Sequence, residues 1–324
     1  MNEQIHKIVP VELAPMAGYT NLPFRLMAEK YGADRVTTEM VSAKGLYYRD
    51  KKTAKLMATV PEETAAGVQI FGSDPKIIAE AVERYINPLD FDFVDFNAGC
   101  PAPKIVKNGD GSALLNDLPL LEQVVSAMVK VSDKPVRVKL RLGWDDANIV
   151  IDEAIRRVED AGAAAAVIHG RTRAAFYSGK ADWGAIARAK TLVEMPVVAN
   201  GDIDSPAAAV RCLDVTHADG LMVGRAAVGR PFIFAQIKAR LAGKAVPQPS
   251  AGDILNIAID HVRLVDHCAG QVGPMVEMRK QLVAYTKGMP DSARLRQHIF
   301  SCQSAQDMVG CLTDYAAAEG IAIS

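Results

Sequence analysis

Eight short runs of β-branched and apolar residues recur along this chain, each followed by a segment of helical length. That alternation is the pattern of parallel strands joined by crossover helices. The runs are Val11 to Met16, Arg35 to Met40, Ala66 to Phe71, Phe93 to Asn97, Val136 to Leu142, Ala165 to His169, Val197 to Asn200 and Gly220 to Val223. Helices are predicted between them, over Leu22 to Tyr31, Pro75 to Tyr85, Leu120 to Val131, Ile149 to Ala161, Trp183 to Leu192, Pro206 to Val215 and Phe232 to Leu241. Asp74-Pro75 and Ser205-Pro206 read as capped openings. Eight such units within about 240 residues predict an α/β fold of the (β/α)8 TIM-barrel type.

After Leu241 the composition changes. Residues 244–252 are rich in Gly, Pro, Gln and Ser and read as a linker, and residues 253–324 show only helical spacing. The expected organisation is a catalytic barrel over residues 1–243 and a C-terminal all-helical domain over 253–324, whose helices are predicted at Asp253 to Cys268, Pro274 to Lys287, Arg294 to Cys302 and Ala305 to Ala318.

Composition narrows the function classes. The 324 residues carry 37 basic and 38 acidic side chains, a net charge of -1, so any nucleic-acid contact must come from a local patch. The five cysteines form no C-x-x-C pair, which argues against a disulfide framework or a thiolate metal site. No secretory leader or membrane span is evident, and the expectation is a cytoplasmic monomer without metal.

Chemistry in such a barrel belongs at the C-terminal ends of the strands. Those junctions carry Ala14 to Gly18, Glu39, Gln69, Asn97 to Pro101, Lys139 with Arg141, His169 to Arg173, Asn200 to Asp202, and Gly224 with Arg225. The last two offer glycines for close backbone approach and an arginine for charge, as a phosphate site requires. The two-residue strand period puts Arg137, Lys139 and Arg141 on one face, and Asp95 is expected to neutralise Arg137 or Lys139. Cys100 lies in a Gly-Cys-Pro turn that exposes its thiol, with no histidine close in sequence, so general acid and nucleophile both remain open. No G-x-G-x-x-G opens a helix after a strand, so a nicotinamide cofactor would have to visit the face of a bound flavin.

Together these junctions resemble the tRNA-dihydrouridine synthases, most closely the bacterial type B members. The resemblance rests on Leu13 to Gly18, Gln69, Asp95 to Pro101 with Lys104, Gly111 to Leu115, Val138 to Trp144, His169 to Arg173, Ala199 to Ile203 and Asp219 to Arg225. It implies FMN as cofactor and NADPH (or NADH) as reductant. Pro15, Met16 and Ala17 would then hold the flavin ring through their backbone, with Gln69 and Lys139 at its polar edge. Asn200, Gly201, Asp202, Gly224 and Arg225 would hold the ribityl chain and phosphate, with His169 nearby. The reduced flavin would pass hydride to carbon 6 of a uracil while Cys100 protonates carbon 5. Asn97 and Arg141 would read the uracil edge, with Arg171, Arg173 and Tyr177 also facing the substrate.

The partner implied is tRNA, whose target uridine must be splayed out to reach a barrel mouth. Its body would dock on the helical domain, where Met278 to Phe300 carries five basic residues, Arg279 and Lys280 among them, against one acid, Asp291. The sequence departs from the family pattern at Arg137, Gln281 and Ala284. The rival readings are an FMN barrel dehydrogenase acting on a free pyrimidine such as dihydroorotate, a phosphosugar isomerase or lyase barrel without flavin, and a non-catalytic RNA-binding protein.

Overall fold

A computed structural model describes residues 9–324. Nine parallel strands form one sheet: β1 (Val11–Leu13), β2 (Val36–Thr37), β3 (Val41–Ser42), β4 (Ala66–Phe71), β5 (Phe93–Ala98), β6 (Val136–Arg141), β7 (Ala165–His169), β8 (Val197–Asn200) and β9 (Gly220–Val223). Their order is β1-β9-β8-β7-β6-β5-β4-β2, with β3 also pairing β4. A bridge between Glu12 and Arg35, with Leu13 N–H donating to Arg35 O at 2.9 Å, brings β1 beside β2. The arrangement is a nearly closed (β/α)8 barrel, as expected.

Two strands differ from the reading of the sequence, each for a local reason. The first ends near Ala14, whose N–H still reaches Val223 O at 2.8 Å, because Pro15 has no N–H to continue the ladder. The second splits into β2 and β3 because side chains take over its hydrogen bonds. Thr38 Oγ1 accepts from the Gln69 N–H at 3.0 Å, and the Glu39 carboxylate accepts the N–H of Gly18.

Asp74 and Ser205 cap helices Pro75–Ala81 and Pro206–Thr216, as their sequences required. The first of these continues as a π-helical turn, Val82–Ile86. Five short helical segments lie outside the helices expected from periodicity: Ala43–Tyr47, Lys51–Lys55, Pro103–Val106, Gly111–Asn116 and Arg225–Ala227. They occupy the connections that leave β3, β5 and β9.

Helices Ala251–His267, Met278–Tyr285, Ser292–Ser301 and Ala305–Ala318 make a second apolar cluster around Leu255, Val262, Leu282, Ile299 and Leu312. Met27 and Phe232 of the barrel helices belong to that cluster, so the two cores meet along one seam. His261 stacks on Phe24 there, with ring centroids 5.7 Å apart. At Gly229 (φ +71°) an added Cβ would lie 2.4 Å from the Ala284 carbonyl carbon, so the barrel's last loop touches helical backbone directly. The stretch before Ala251 has no regular structure, yet Gln236 pins it through Pro247 O at 2.8 Å. Among the described residues no helix is long and apolar enough to cross a membrane.

Candidate active site at the barrel mouth

Inside the barrel, β4, β5 and β6 present polar side chains from floor to mouth, whereas Ala14, Val167, Val198 and Met222 form a small apolar cluster on the other side. Arg137 and Glu12 form an ion pair at 2.6 Å on the floor, where both are buried. Burial works against the charge on Arg137, but Glu12 and then Asp95 more than restore it, raising its pKa. The expected neutralisation by Asp95 holds only through its field, which favours the charges on Arg137 and Lys139; the carboxylate hydrogen-bonded to Arg137 is Glu12. Asp95 accepts instead from Gln69 Nε2 at 2.6 Å, and burial pushes its carboxyl up to about 6. Its other oxygen has no hydrogen-bond partner.

From Asp95 a chain of amides climbs to the thiol. Gln69 Oε1 accepts from Asn97 Nδ2 at 2.8 Å, and Asn97 Oδ1 accepts the N–H of Gly99 at 3.1 Å and of Cys100 at 2.8 Å. Asn97 therefore builds the Cys100 turn with its amide oxygen while Gln69 holds its amide nitrogen. The carbonyl of Cys100 is held from the other side by Ser112, through its N–H at 3.1 Å and its hydroxyl at 2.8 Å. Gly111 (φ +62°) lies so close beneath that a Cβ would meet that carbonyl at 2.9 Å. The thiol is half-buried, and burial raises its pKa against the opposing pull of the Ala102 backbone, Arg141 and Lys139. It stays protonated at neutral pH.

Lys139 and Arg141 stand beside it on β6. Lys139 Nζ donates to Asn200 Oδ1 at 3.1 Å, and burial, then Arg141, lowers its pKa to about 8. Arg141 donates to Gly99 O at 2.9 Å, Thr172 O at 2.9 Å and Phe176 O at 2.8 Å, tying the cysteine turn to the loop after β7. Tyr177 projects from that loop, 52% exposed, with Arg225 4.5 Å and Arg141 5.6 Å from its ring centroid.

The corner formed by β7, β8 and β9 is crowded with positive charge. His169 is held far below its usual pKa by burial, and then by Lys139, Arg141, Arg171 and Arg225, so its imidazole is neutral. Of those cations Arg171 has a carboxylate, Asp202, at 2.7 Å, and it also donates to Ser178 O and Gly179 O. Gly201 (φ +114°) has no room for a side chain, since a Cβ would fall 2.8 Å from the His169 ring and 2.9 Å from Ala181 Cβ. Gly224 is open, its nearest neighbours being Ala14 Cβ at 3.7 Å and Met16 Sδ at 3.9 Å. An anion with several oxygens suits this corner, where the cations outnumber the nearby carboxylates and Gly224 leaves its backbone open.

Pro15, Met16 and Ala17 form the turn after β1, closed by Tyr19 and Thr20 N–H groups on Met16 O. Ala17 is exposed at its tip. Lys280 reaches this turn from the helical bundle, its Nζ 4.8 Å from the Tyr19 ring centroid and 3.0 Å from where a Gly18 Cβ would stand. Two other cations named from the sequence are turned inward. Arg173 lies 4.5 Å from the Trp144 ring centroid, and Arg279 donates to Cys302 O at 2.7 Å. Glu39 and Trp144 shape the site without having been assigned a role; nothing in their local sequence shows that one holds Gly18 and the other Arg173.

The mouth thus brings together a half-buried thiol, a lysine and an arginine beside it, and a cationic corner. Residues 12–319 match the profile of the family described as dihydrouridine synthase (Dus). A protein of Synechocystis sp. called probable tRNA-dihydrouridine synthase 1 is 38% identical over 296 residues, 91% of this chain and 82% of its own. The tRNA-dihydrouridine synthase B of Xanthomonas campestris pv. campestris is 37% identical over 306 residues, 94% and 92% of the two chains. Histamine dehydrogenase from Rhizobium sp. 4-9 shares the fold at 13% identity, with a TM-score of 0.52 over 80% of this chain and 49% of that one. With the profile spanning nearly the whole barrel and bundle, this chain belongs to the dihydrouridine synthase family.

Proposed function

We propose that the protein is a tRNA-dihydrouridine synthase that binds FMN in the barrel mouth, draws on NADPH, and reduces the carbon 5 to carbon 6 bond of a tRNA uridine, with residues 1–243 as the catalytic unit and 253–324 docking the RNA. The observation that carries this reading is the half-buried Cys100 on the turn after β5, tied to Asn97 and Arg141 at the same end of the barrel as Lys139 and the cationic corner.

The cofactor fits these residues. Its phosphate suits Arg225 and the backbone at Gly201 and Gly224, and the turn at Pro15 to Ala17 presents backbone to its ring. Lys139 supplies a fixed positive charge at the ring's polar edge. When bound, the flavin supplies the electron pair for the reduction, replenished by NADPH. The chain's own part is proton delivery: the Cys100 Sγ–H gives its proton to carbon 5 of the uracil. Lys139 and Arg141 both stabilise the thiolate left behind. Arg141 keeps Gly99 and the 172–177 loop in register, so the sulfur is presented at a fixed height. Tyr177, exposed between Arg225 and Arg141, offers a face to the entering base.

The test is Cys100→Ala in the purified enzyme. Flavin binding and its reduction by NADPH should persist while dihydrouridine formation in tRNA falls by at least about a hundredfold. Unchanged turnover would refute the proton-donor role. Protein that takes up no flavin when FMN is supplied, or oxidation of free dihydroorotate with no activity on tRNA, would overturn the wider reading.

A further inference from the structure

The segment that follows β3 at the mouth differs from the rest of the barrel surface. Between Lys44 and Lys55 it holds five basic residues, Lys44, Arg49, Lys51, Lys52 and Lys55, against one acid, Asp50, in a chain of net charge -1. That acid is used locally: its carboxylate accepts from the N–H groups of Lys52 and Thr53 and from the Thr53 hydroxyl, capping helix Lys51–Lys55. The helix buries none of its residues, so the core does not account for its composition. Tyr48 beside it is 73% exposed, with Tyr47 set edge-on at 5.1 Å.

The position of this patch matters as much as its charge. Helix Ala43–Tyr47 starts directly at the C-terminal end of β3, the end that faces the mouth. The turn after β4 joins this segment to the cysteine loop: a Cβ on Gly72 would lie 3.2 Å from Ala43 Cβ and one on Gly109 3.6 Å from Ser73 Oγ, so the segment from Ala43 and the loop running from Cys100 to Asp110 flank the same turn. That loop adds Lys104 and Lys107. The basic rim is thus continuous with the turn that holds the thiol.

We propose that this rim is a second RNA-docking surface, on the barrel itself, that grips the sugar-phosphate backbone of the nucleic acid whose splayed base enters the mouth, with Tyr48 offered to an unpaired base. The inference rests on the proposed function. A polynucleotide is the occupant its chemistry fits, because lysines on an exposed helix suit a repeated phosphate charge and a tyrosine face suits a base.

The experiment compares wild type, the triple variant Lys51→Ala, Lys52→Ala, Lys55→Ala, and a charge-matched control, Lys130→Ala, Arg211→Ala, Lys244→Ala, built from exposed residues elsewhere. Binding of unmodified tRNA is measured across a salt series, and KM and kcat for dihydrouridine formation are measured on the holoenzymes. The rim variant should keep its flavin and its kcat, raise KM on the order of tenfold, and lose about 2 from the slope of log affinity against log salt. Tyr48→Ala should also raise KM, by about fivefold, with Tyr48→Phe restoring it. Wild-type KM and slope in the rim variant, or an equal loss in the control, would overturn the proposal while leaving the enzyme's function intact. Wild-type protein that forms no dihydrouridine would instead overturn the function, and the docking surface with it.

Discussion

Arg137 on β6 reaches Glu12 on β1 at 2.6 Å, and these strands are four places apart in the sheet order, on opposite sides of the barrel. Glu12 also accepts from Arg35 at 3.0 Å, where β1 meets β2. One carboxylate therefore joins the barrel across its floor and at its closing seam.

Removing that carboxylate would strand a buried guanidinium. Glu12→Gln is expected to lower the unfolding free energy by about 3 to 5 kcal/mol. Asp95→Asn should change it by no more than about 1 kcal/mol, since an asparagine oxygen can still accept from Gln69 and no direct ion pair is broken. Urea unfolding of both variants at neutral pH checks the contrast. Equal losses would mean that Asp95 shares the charge balance with Glu12.

That pair also shows how far the sequence could be read. The strand period correctly placed Arg137, Lys139 and Arg141 on the inner face, and the junction residues marked the mouth. Choosing between Glu12 and Asp95 required knowing which strands oppose each other across the closed barrel, and that follows from closure, not from local pattern. The interruption of the second strand was hidden for a similar reason. Thr38 and Glu39 have ordinary strand composition, and only the arrival of Gln69 and Gly18 gives their side chains partners. The inward turn of Arg279 was equally out of reach, because its acceptor, Cys302 O, lies 23 residues away on another helix end.

Gly201 tests the cofactor corner. Its positive φ and the 2.8 Å gap to the His169 ring leave a methyl group no place. Gly201→Ala should displace His169 or the local backbone and weaken FMN binding by roughly tenfold or more, while the barrel remains folded. The check is flavin content after purification together with thermal unfolding. A variant that retains full flavin occupancy would remove this corner from the cofactor site.

Lys139 sets a pH dependence with a definite sign. Burial and Arg141 lower its pKa to about 8 in the ligand-free barrel, so its charge is present below that pH and lost above it. Affinity of the apoprotein for anionic FMN should be level below pH 8 and decline above it, by at most about tenfold per pH unit. Lys139→Gln should bind more weakly throughout and show no such decline. Fluorescence titration of FMN over the alkaline range measures both, and an alkaline decline that survives in Lys139→Gln would assign it to another group.

At the seam between the two apolar cores, His261 is fully buried against Phe24, with Nδ1 3.2 Å from the Tyr285 hydroxyl and Nε2 lacking any hydrogen-bond partner among the described residues. Burial lowers its pKa from 6.5 to about 3. In the unfolded chain it takes a proton near pH 6.5, whereas in the folded protein it does not until about pH 3. Between those values the unfolded state binds more protons, so the stability linked to His261 is complete above pH 6.5 and is lost as pH falls, by about 1.4 kcal/mol per unit. His261→Gln removes the titrating ring and leaves an amide for the Tyr285 hydroxyl. It should be less stable than wild type at neutral pH, and the gap should narrow by about 2 kcal/mol on going to pH 5. Carboxylates elsewhere titrate alike in both proteins, so the difference between the two unfolding curves isolates the histidine. A gap that stays constant with pH would mean that His261 is hydrated and titrates normally, and that the seam is open to water.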